Sequence, residues 1–533
     1  MKFNSEQELQ KKGSYQINEG ESQTMNYDFS LNFSRQVKEL HYLFGFLSYS
    51  LDETTYEENI YKAEGFPSDR MNSIFFARQY AEDTKPQGAE STTRNIGVNA
   101  VFNYSYDDRL LFDATFRTNA SSQFGANQRW GNFWSLGAGW NMHNEKWLRS
   151  KEWFSRLKLR ASVGSTGSQG NNAYQSLATY NYSEKNYENK LGAYLMGMEN
   201  KDLKWQKKMD YNVGMDMSVK NNFNLVFDYY QSTTENLLVA FTLPPSTGFT
   251  TVQENVGKVR NTGIELSMSY MVLSRPQDRT FLTLSLRAAH NKNRVVKISD
   301  SMKAYNEKMD EMAESDSKLV TKYYDGVSMN AIWAVRSLGI DPATGREIYL
   351  TKDGVSTYEY RAEDMVVCGD NLPKLRGSFG INLGYKGFGL NVMCMYELGA
   401  KMYNETLVDR VENVNMSYAV DKRVLEGRWQ KPGDKVRFRS LKQVWDPEKQ
   451  AYKVDEKTYA TSRFVQKKNE LNISSINFSY DFFRHAFVKK MGMERLSVAF
   501  YMNDVAKLST IKTERGLSYP FARNYNFSLQ MTF

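Results

Sequence analysis

The chain has 533 residues, a formal net charge of +8 and an aromatic content of 14%, with 34 Tyr, 31 Phe, 34 Gly and only 10 Pro. No apolar run approaches the ~18 residues of a membrane helix, and Lys and Arg are scattered rather than gathered into the stripe that nucleic acid requires. Two cysteines, Cys368 and Cys394, and four dispersed histidines offer neither a disulfide framework nor a zinc spacing.

The first segment, "MKFNSEQELQKKGSYQINEG", has no apolar core and reads as lacking a signal peptide. Residues 1–23 have no clear assignment beyond a possible strand remnant. From there the pattern is period two. "MNYDFSLNFS" places Met25, Tyr27, Phe29, Leu31 and Phe33 on one face and Asn26, Asp28, Ser30 and Asn32 on the other. "MDYNVGMDMSV" (209–219), "IELSMSY" (264–270) and "LRGSFGINLGY" (375–385) repeat it. In "LNISSINFSYDF" the phase slips between Ile473 and Ile476, which predicts a bulge at Ser474–Ser475.

About fifteen such segments are predicted, near 24–34, 39–50, 94–106, 109–118, 130–142, 154–166, 205–219, 222–232, 257–271, 279–290, 372–385, 387–398, 469–482, 493–503 and 523–533. They exceed the ~5–6 residues of a globular strand and suit the ~9–11 of a tilted strand crossing a bilayer. Connections alternate in length. Short ones include "RQVKE", "YDD", "KNN" and "KGF"; long ones fill 51–93, 167–204, 233–256, 291–371 and 399–468. Sorting by parity predicts an all-β, transmembrane antiparallel β-barrel with short periplasmic turns and long extracellular loops. A propeller or solenoid would show a fixed repeat, which is absent. The terminal "RNYNFSLQMTF" alternates to the last residue, and a closing strand that ends on Phe533 is the usual end of an outer-membrane barrel.

Specific motifs resemble a known family. "FRTNASSQFGANQRWGNFWSLGAGWNMHNEKW" (116–147), "LKLRASVGSTGSQGNNAY" (157–174), "LKWQKKMDYNVGMDMSV" (203–219) and "ENVGKVRNTGIELSMSY" (254–270) resemble, in order, signatures of the SusC/RagA family of TonB-dependent outer-membrane transporters. "GIDPATGREIY" (339–349) and "GRWQKPGDKVRFR" (427–439) resemble two of its loop motifs. Departures are Trp134 for the usual Pro, Asn119–Ala120 for Asp–Gly and Gln206 for Glu.

The resemblance implies a barrel of about 22 strands, a plug in its lumen, a TonB box, a signal peptide and a small N-terminal extension domain. On that frame residues 24–533 are a partial barrel of about 15–16 strands starting near the eighth, with two open edges that lipid penalises. It further implies the outer membrane of a Gram-negative, Bacteroidetes-like bacterium. The implied activity is energised import of glycans or peptides, with a SusD-like surface lipoprotein as lid and the TonB–ExbB–ExbD complex acting through the plug. The contrasting reading is an uncoupled barrel fragment, a passive channel or remnant.

Several local features have alternative readings. "GSTGSQGNN" (164–172) follows a strand, but no helix with Lys and a hydroxyl comes next, so an extracellular loop is expected rather than a phosphate cradle. "ISDSMKAYNEKMDEMAESDSKL" (298–319) predicts a helix capped by Ser299 or Asp300, with Met302, Met309 and Met312 on one side, serving either as a lid contact or as a solvated loop helix. Asp52, Glu53, Glu57 and Glu58 form an acidic cluster expected in the first long loop, without calcium-loop spacing. Tyr323, Tyr324, Trp333, Trp429 and Trp445 are candidates for a substrate vestibule, since ring faces stack on sugars and peptides; the alternative is that they pack the loops together. Asp210, Asp216, Glu265 and Arg287 face the lumen and are expected to hydrate a plug interface. His41, His143, His290 and His485 form no nucleophile motif, so neither an enzyme nor a cofactor is expected.

Overall fold

The computed structural model describes residues 11–533 except 72, 82–83, 150, 152, 169–172, 184–191, 243–250, 316–318, 415–419, 441–442, 447–450, 455–457, 483–484 and 513–521. Fifteen antiparallel strands follow one another in sequence order through a single sheet. They are β1 (Ser14–Val37), β2 (His41–Glu64), β3 (Gln87–Tyr106), β4 (Leu110–Ser121), β5 (Trp130–Asn141), β6 (Phe154–Ser168), β7 (Gln206–Val219), β8 (Phe223–Thr242), β9 (Thr251–Arg275), β10 (Thr280–Lys297), β11 (Leu375–Tyr385), β12 (Phe388–Tyr403), β13 (Val465–Asp481), β14 (Arg495–Ser509) and β15 (Tyr525–Thr532). A short strand, Gln79–Tyr80, adds to β2 off this path. Each of the fifteen expected segments lies on its own strand. The fold is an antiparallel β-barrel wall; among the described residues no helix is long and apolar enough to cross a membrane.

The tight-turn rim is built by backbone chirality. Lys38 and Glu39, Asp107 and Asp108, and Lys220 and Asn221 are consecutive pairs at positive φ, and Lys386–Gly387 makes a fourth. Two successive left-handed residues match the right-handed twist of the flanking strands, so pairing resumes after three residues at the first three turns and after two at Lys386–Gly387.

The opposite rim differs from expectation because strands run beyond the bilayer. β2 continues to Glu64 and pairs with β1 from Ser14 onward, so residues 14–23 are the start of β1 rather than a separate remnant. Asp52, Glu53, Glu57 and Glu58 therefore lie on β2, not in a loop, and Glu53 pairs with Arg94 of β3 at 2.7 Å. Likewise β8 and β9 take up residues 233–242 and 251–256 of the expected 233–256 loop, the rest lying outside the described residues, and Gly164–Ser168 belong to β6 rather than to a loop. The alternation of loop lengths is accordingly looser than expected: 122–129 on the long-loop rim is shorter than 142–153 on the other.

Alternation sets the two faces. Phe29, Leu31, Val213, Phe527 and Leu529 all stand exposed on one side, with Leu31 at 69% and Phe527 at 79%. That is an apolar surface made for lipid. The predicted bulge is present: the register between β13 and β14 shifts between Ile473 and Ser475, and the Ser474 hydroxyl donates to the Met393 carbonyl at 2.9 Å.

Val213 sits in the middle of β7 on the lipid face. Val213→Arg is expected to lower stability in lipid vesicles by roughly 2–4 kcal/mol, the cost of a cation near the bilayer midplane, whereas Asn212→Lys, one residue along on the lumenal face, is expected to change it little. Urea unfolding of the reconstituted barrel measures both.

Candidate functional site

The lumenal face carries a charged row fixed by register. Arg160 of β6 stands opposite Gly214 of β7, Gly214 opposite Asp228 of β8, and Asp228 opposite Glu265 of β9. The row continues through Ala289, Arg376, Glu397 and Glu470 on β10 to β13. Directly opposed residues share a face, and like charges there repel. The small residues relieve this. Arg160 reaches across Gly214 to Asp228 at 2.7 Å while also meeting Asp216 at 3.2 Å; a Cβ on Gly214 would stand 2.7 Å from the Arg160 guanidinium carbon and from an Asp228 oxygen. Farther along, Lys468 pairs with Glu397 and Lys507 with Glu470, both at 2.9 Å. Between these clusters lies a hollow of about 690 Å³ lined by Asp228, Glu265, Arg287, Arg376, Glu397 and Glu470, among others. Of the four expected lumenal residues, Glu265 and Arg287 line it, Asp216 belongs to the Arg160 cluster, and Asp210 pairs with Lys208 at 2.9 Å.

Nearer the long-loop rim, two motif segments converge. Phe124, Phe133, Leu203 and Trp205 form a buried cluster, with Phe124 and Trp205 rings 4.4 Å apart and the Trp205 indole donating to the Arg129 carbonyl at 2.9 Å. The segments 116–147 and 203–219 are thus physical neighbours.

The two longest loops, 298–374 and 404–464, fold into one body. A sheet of Ser356–Thr357, Glu347–Leu350, Ala331–Ile340 and Met365–Asp370 packs Ile332 with Tyr403, Leu407, Val411, Phe438 and Phe464. Buried charges lock the seam. One Arg463 nitrogen donates to Glu347 and to Glu412, each at 2.7 Å, and the Thr461 hydroxyl donates to Glu347 at 2.8 Å. Burial draws the Arg463 guanidinium toward its neutral form, but the two carboxylates outweigh it and hold its pKa above the ordinary arginine value. Arg428, by contrast, is lowered by desolvation; it donates to the carbonyls of Val424, Arg439 and Val411.

The motifs 339–349 and 427–439 meet in this body. The Trp429 indole donates to the Pro342 carbonyl at 2.9 Å. Its ring lies over Gly345, whose φ of +75° and missing Cβ together admit it. Asp341 accepts from Thr344 and Tyr358 at 2.7 and 2.8 Å, and hydrogen bonds, that of Thr344 foremost, hold its carboxyl below the usual range.

The helix is α1, Asp300–Ser315, and Ser299 caps it by accepting from the Met302 amide at 3.2 Å. Its buried side is Met302, Asn306 and Ala313; Met312 is exposed. Asn306 holds Tyr323 by both backbone groups, at 2.6 and 2.8 Å. The five aromatics do not form one surface. Tyr323 packs on Tyr305 and Tyr324 on Trp333 at 5.0 Å, with the Lys322 ammonium near both of the latter and paired with Asp310. Trp333 is buried at 8% exposure. Trp429 lies in the motif contact, and Trp445 lies on the hairpin Gln443–Asp446 and Ala451–Val454. Local sequence carries no signal for the Arg463, Glu347 and Glu412 lock, because its members are far apart along the chain. No group of three or more metal-ligating side chains occurs among the described residues, and Cys368 and Cys394 are free thiols.

A family model described as TonB dependent receptor-like, beta-barrel matches residues 3–420. TonB-dependent receptor P39 of Formosa agariphila is 24% identical, over 92% of this chain and 50% of that protein. TonB-dependent receptor SusC of Bacteroides thetaiotaomicron is 28% identical, over 53% of this chain and 29% of that protein. A chain in the structure of the RagAB peptide transporter superposes with a TM-score of 0.80 at 18% identity, over 93% of this chain and 53% of that one. The chain spans about half the length of the curated relatives it matches, or less.

Glu412→Ala is expected to leave Arg463 buried with one carboxylate lost, a cost of about 3–5 kcal/mol to the loop body. Limited proteolysis is expected to open residues 404–464 while the strands stay protected. Because the Asp341 pKa is lowered on folding, the stability it adds is present above the unfolded value of about 3.9 and is lost only as pH falls through the lower folded value. The hydrogen-exchange protection factor of residues 339–349, taken against the intrinsic rate at each pH, is expected to hold at pH 5 and to fall only below about pH 3.9.

Proposed function

The chain belongs to the TonB-dependent receptor-like β-barrel family, and from that premise we propose that it forms the wall and outer loops of an importer that carries glycans or peptides across the outer membrane. The carrying observation is the two-sidedness of the wall: a lipid-ready apolar face, and behind it a lumenal face whose ion pairs and hollow of about 690 Å³ suit polar cargo. Nothing in such a surface does covalent chemistry; transport consists of binding and gating, and the family is one of receptors rather than enzymes.

The partners we assign are a SusD-like surface lipoprotein acting as a lid and the TonB–ExbB–ExbD complex acting through a plug. The joined body formed by the described parts of 298–374 and 404–464 is the surface we assign to the lid, since a shared core and buried ion pairs hold it together. Of the aromatic candidates, Tyr324 retains 39% exposure and is the one we assign to the vestibule; Trp333 and Trp429 support the loops.

In a host carrying the receptor, uptake of the oligosaccharide or peptide it serves is expected to cease both when the gene is disrupted and when a protonophore collapses the proton gradient. Uptake that outlasts the protonophore would point instead to a passive channel. Affinity capture with a tagged receptor is expected to bring down a surface lipoprotein, and Glu412→Ala is expected to weaken that capture.

A further inference from the structure

A second, smaller hollow of about 240 Å³ lies on the lumenal face toward the long-loop rim, on β2, β3 and β4, with Gly167 of β6 and Trp205 beside it. Register builds it. Ser50 of β2 stands opposite Gly97 of β3, and Gly97 opposite Asn119 of β4; one step outward, Asp52 stands opposite Asn95. Gly97 is the floor: a Cβ there would fall 2.8 Å from the Ser50 hydroxyl and 2.9 Å from the Asn119 side-chain oxygen. Arg117 and Trp205 also line it, with Ile96, Ala120 and Gly167.

The polar groups are only partly used. Arg117 donates to the Asn119 oxygen at 2.9 Å, which orients the Asn119 amide group. The Asn95 side-chain oxygen is buried with no hydrogen-bond partner, whereas buried polar groups are normally paired. One carboxylate, one guanidinium, two amides and a hydroxyl around a wall of indole present donors and acceptors in nearly balanced charge. That set matches vicinal hydroxyls, each a donor and an acceptor at once. The volume falls below the ~300–1,000 Å³ of drug-sized pockets, so it accommodates one ring rather than a chain. The ion-lined hollow of β8 to β13 has a different chemistry, with six charged groups.

We propose that this hollow is a hydroxyl-recognition subsite that holds a single neutral sugar ring of an incoming glycan at the outer mouth. The proposal rests on the import reading and selects glycan over peptide within it.

The test uses the intact receptor in a detergent without a sugar head group. Saturation-transfer NMR is recorded with a mixture of glucose, galactose, mannose, xylose and rhamnose, and separately with a mixture of neutral tripeptides. Ring protons of at least one sugar are expected to receive saturation. Asn95→Leu and Gly97→Val are expected to weaken that binding at least about tenfold, with barrel assembly verified by heat-dependent gel migration. Asn95→Leu keeps the test valid if Gly97→Val fails to assemble. No sugar signal from the wild type, equal signal from an assembled Asn95→Leu variant, or saturation of the peptides alone would each overturn the proposal. Uptake that remains sensitive to the protonophore in those cases would leave the import reading standing.

Discussion

In a bilayer every backbone N–H and C=O must find a partner within the protein, because lipid offers none. The rest of the molecule follows from that demand. It forces each strand against its sequence neighbour, so that the order of β1 to β15 in the sheet is their order in the chain. It also makes the side-chain period two, and so divides each strand between lipid and lumen. A one-residue slip would carry Leu31 and Phe527 into the lumen and their polar neighbours into lipid. The bulge at Ser474 is the exception that the ladder accommodates: the extra residue resets the phase, and its hydroxyl returns a hydrogen bond to β12.

Once faces are fixed, side chains on the lumenal side form rows across strands, and the composition of a row decides what it does. Small residues act as gaps. Gly214 lets Arg160 span a strand to reach Asp228, which converts an unfavourable Asp228 and Glu265 neighbourhood into one with a cation nearby. Gly97 stands between the uncharged Ser50 and Asn119, so no ion pair crosses it, and it forms part of the lining of a hollow. The same device therefore yields a strut in one row and a recess in another, and the difference lies in the directly opposed residues, Arg160 and Asp228 in the first and Ser50 and Asn119 in the second.

Sequence alone disclosed the wall because its signal is local. The alternation of Met25 to Phe33 or Tyr525 to Phe533 can be counted within one segment. Strand ends were less legible. The outer part of β2, around Asp52 to Glu58, is acidic on successive residues, and nothing in its composition separates a loop from a hairpin standing clear of the membrane; only its pairing with β1 and β3 does. The loop body was least legible. Trp429 read either as a vestibule aromatic or as one packing the loops together, and the choice is settled by Pro342 and Gly345, which lie far upstream. Even so, 339–349 and 427–439 stood out as motifs, and the structure makes them contact partners.

The buried lock of Arg463 with Glu347 and Glu412 differs in kind from the lumenal ion pairs. In the lumen, pairs such as Lys468 with Glu397 remain partly solvated and can exchange partners at small cost. In the loop body the charges are almost wholly withdrawn from water, so the arrangement is favourable only as a complete set, and a half-open state would strand a charge. Loops joined this way move together or stay closed together. The wall thus supplies adjustable polar contacts along the conduit, while the loops at its outer end form a single unit, and any motion of that unit must be carried by the strand ends of β10, β11, β12 and β13 that bear it.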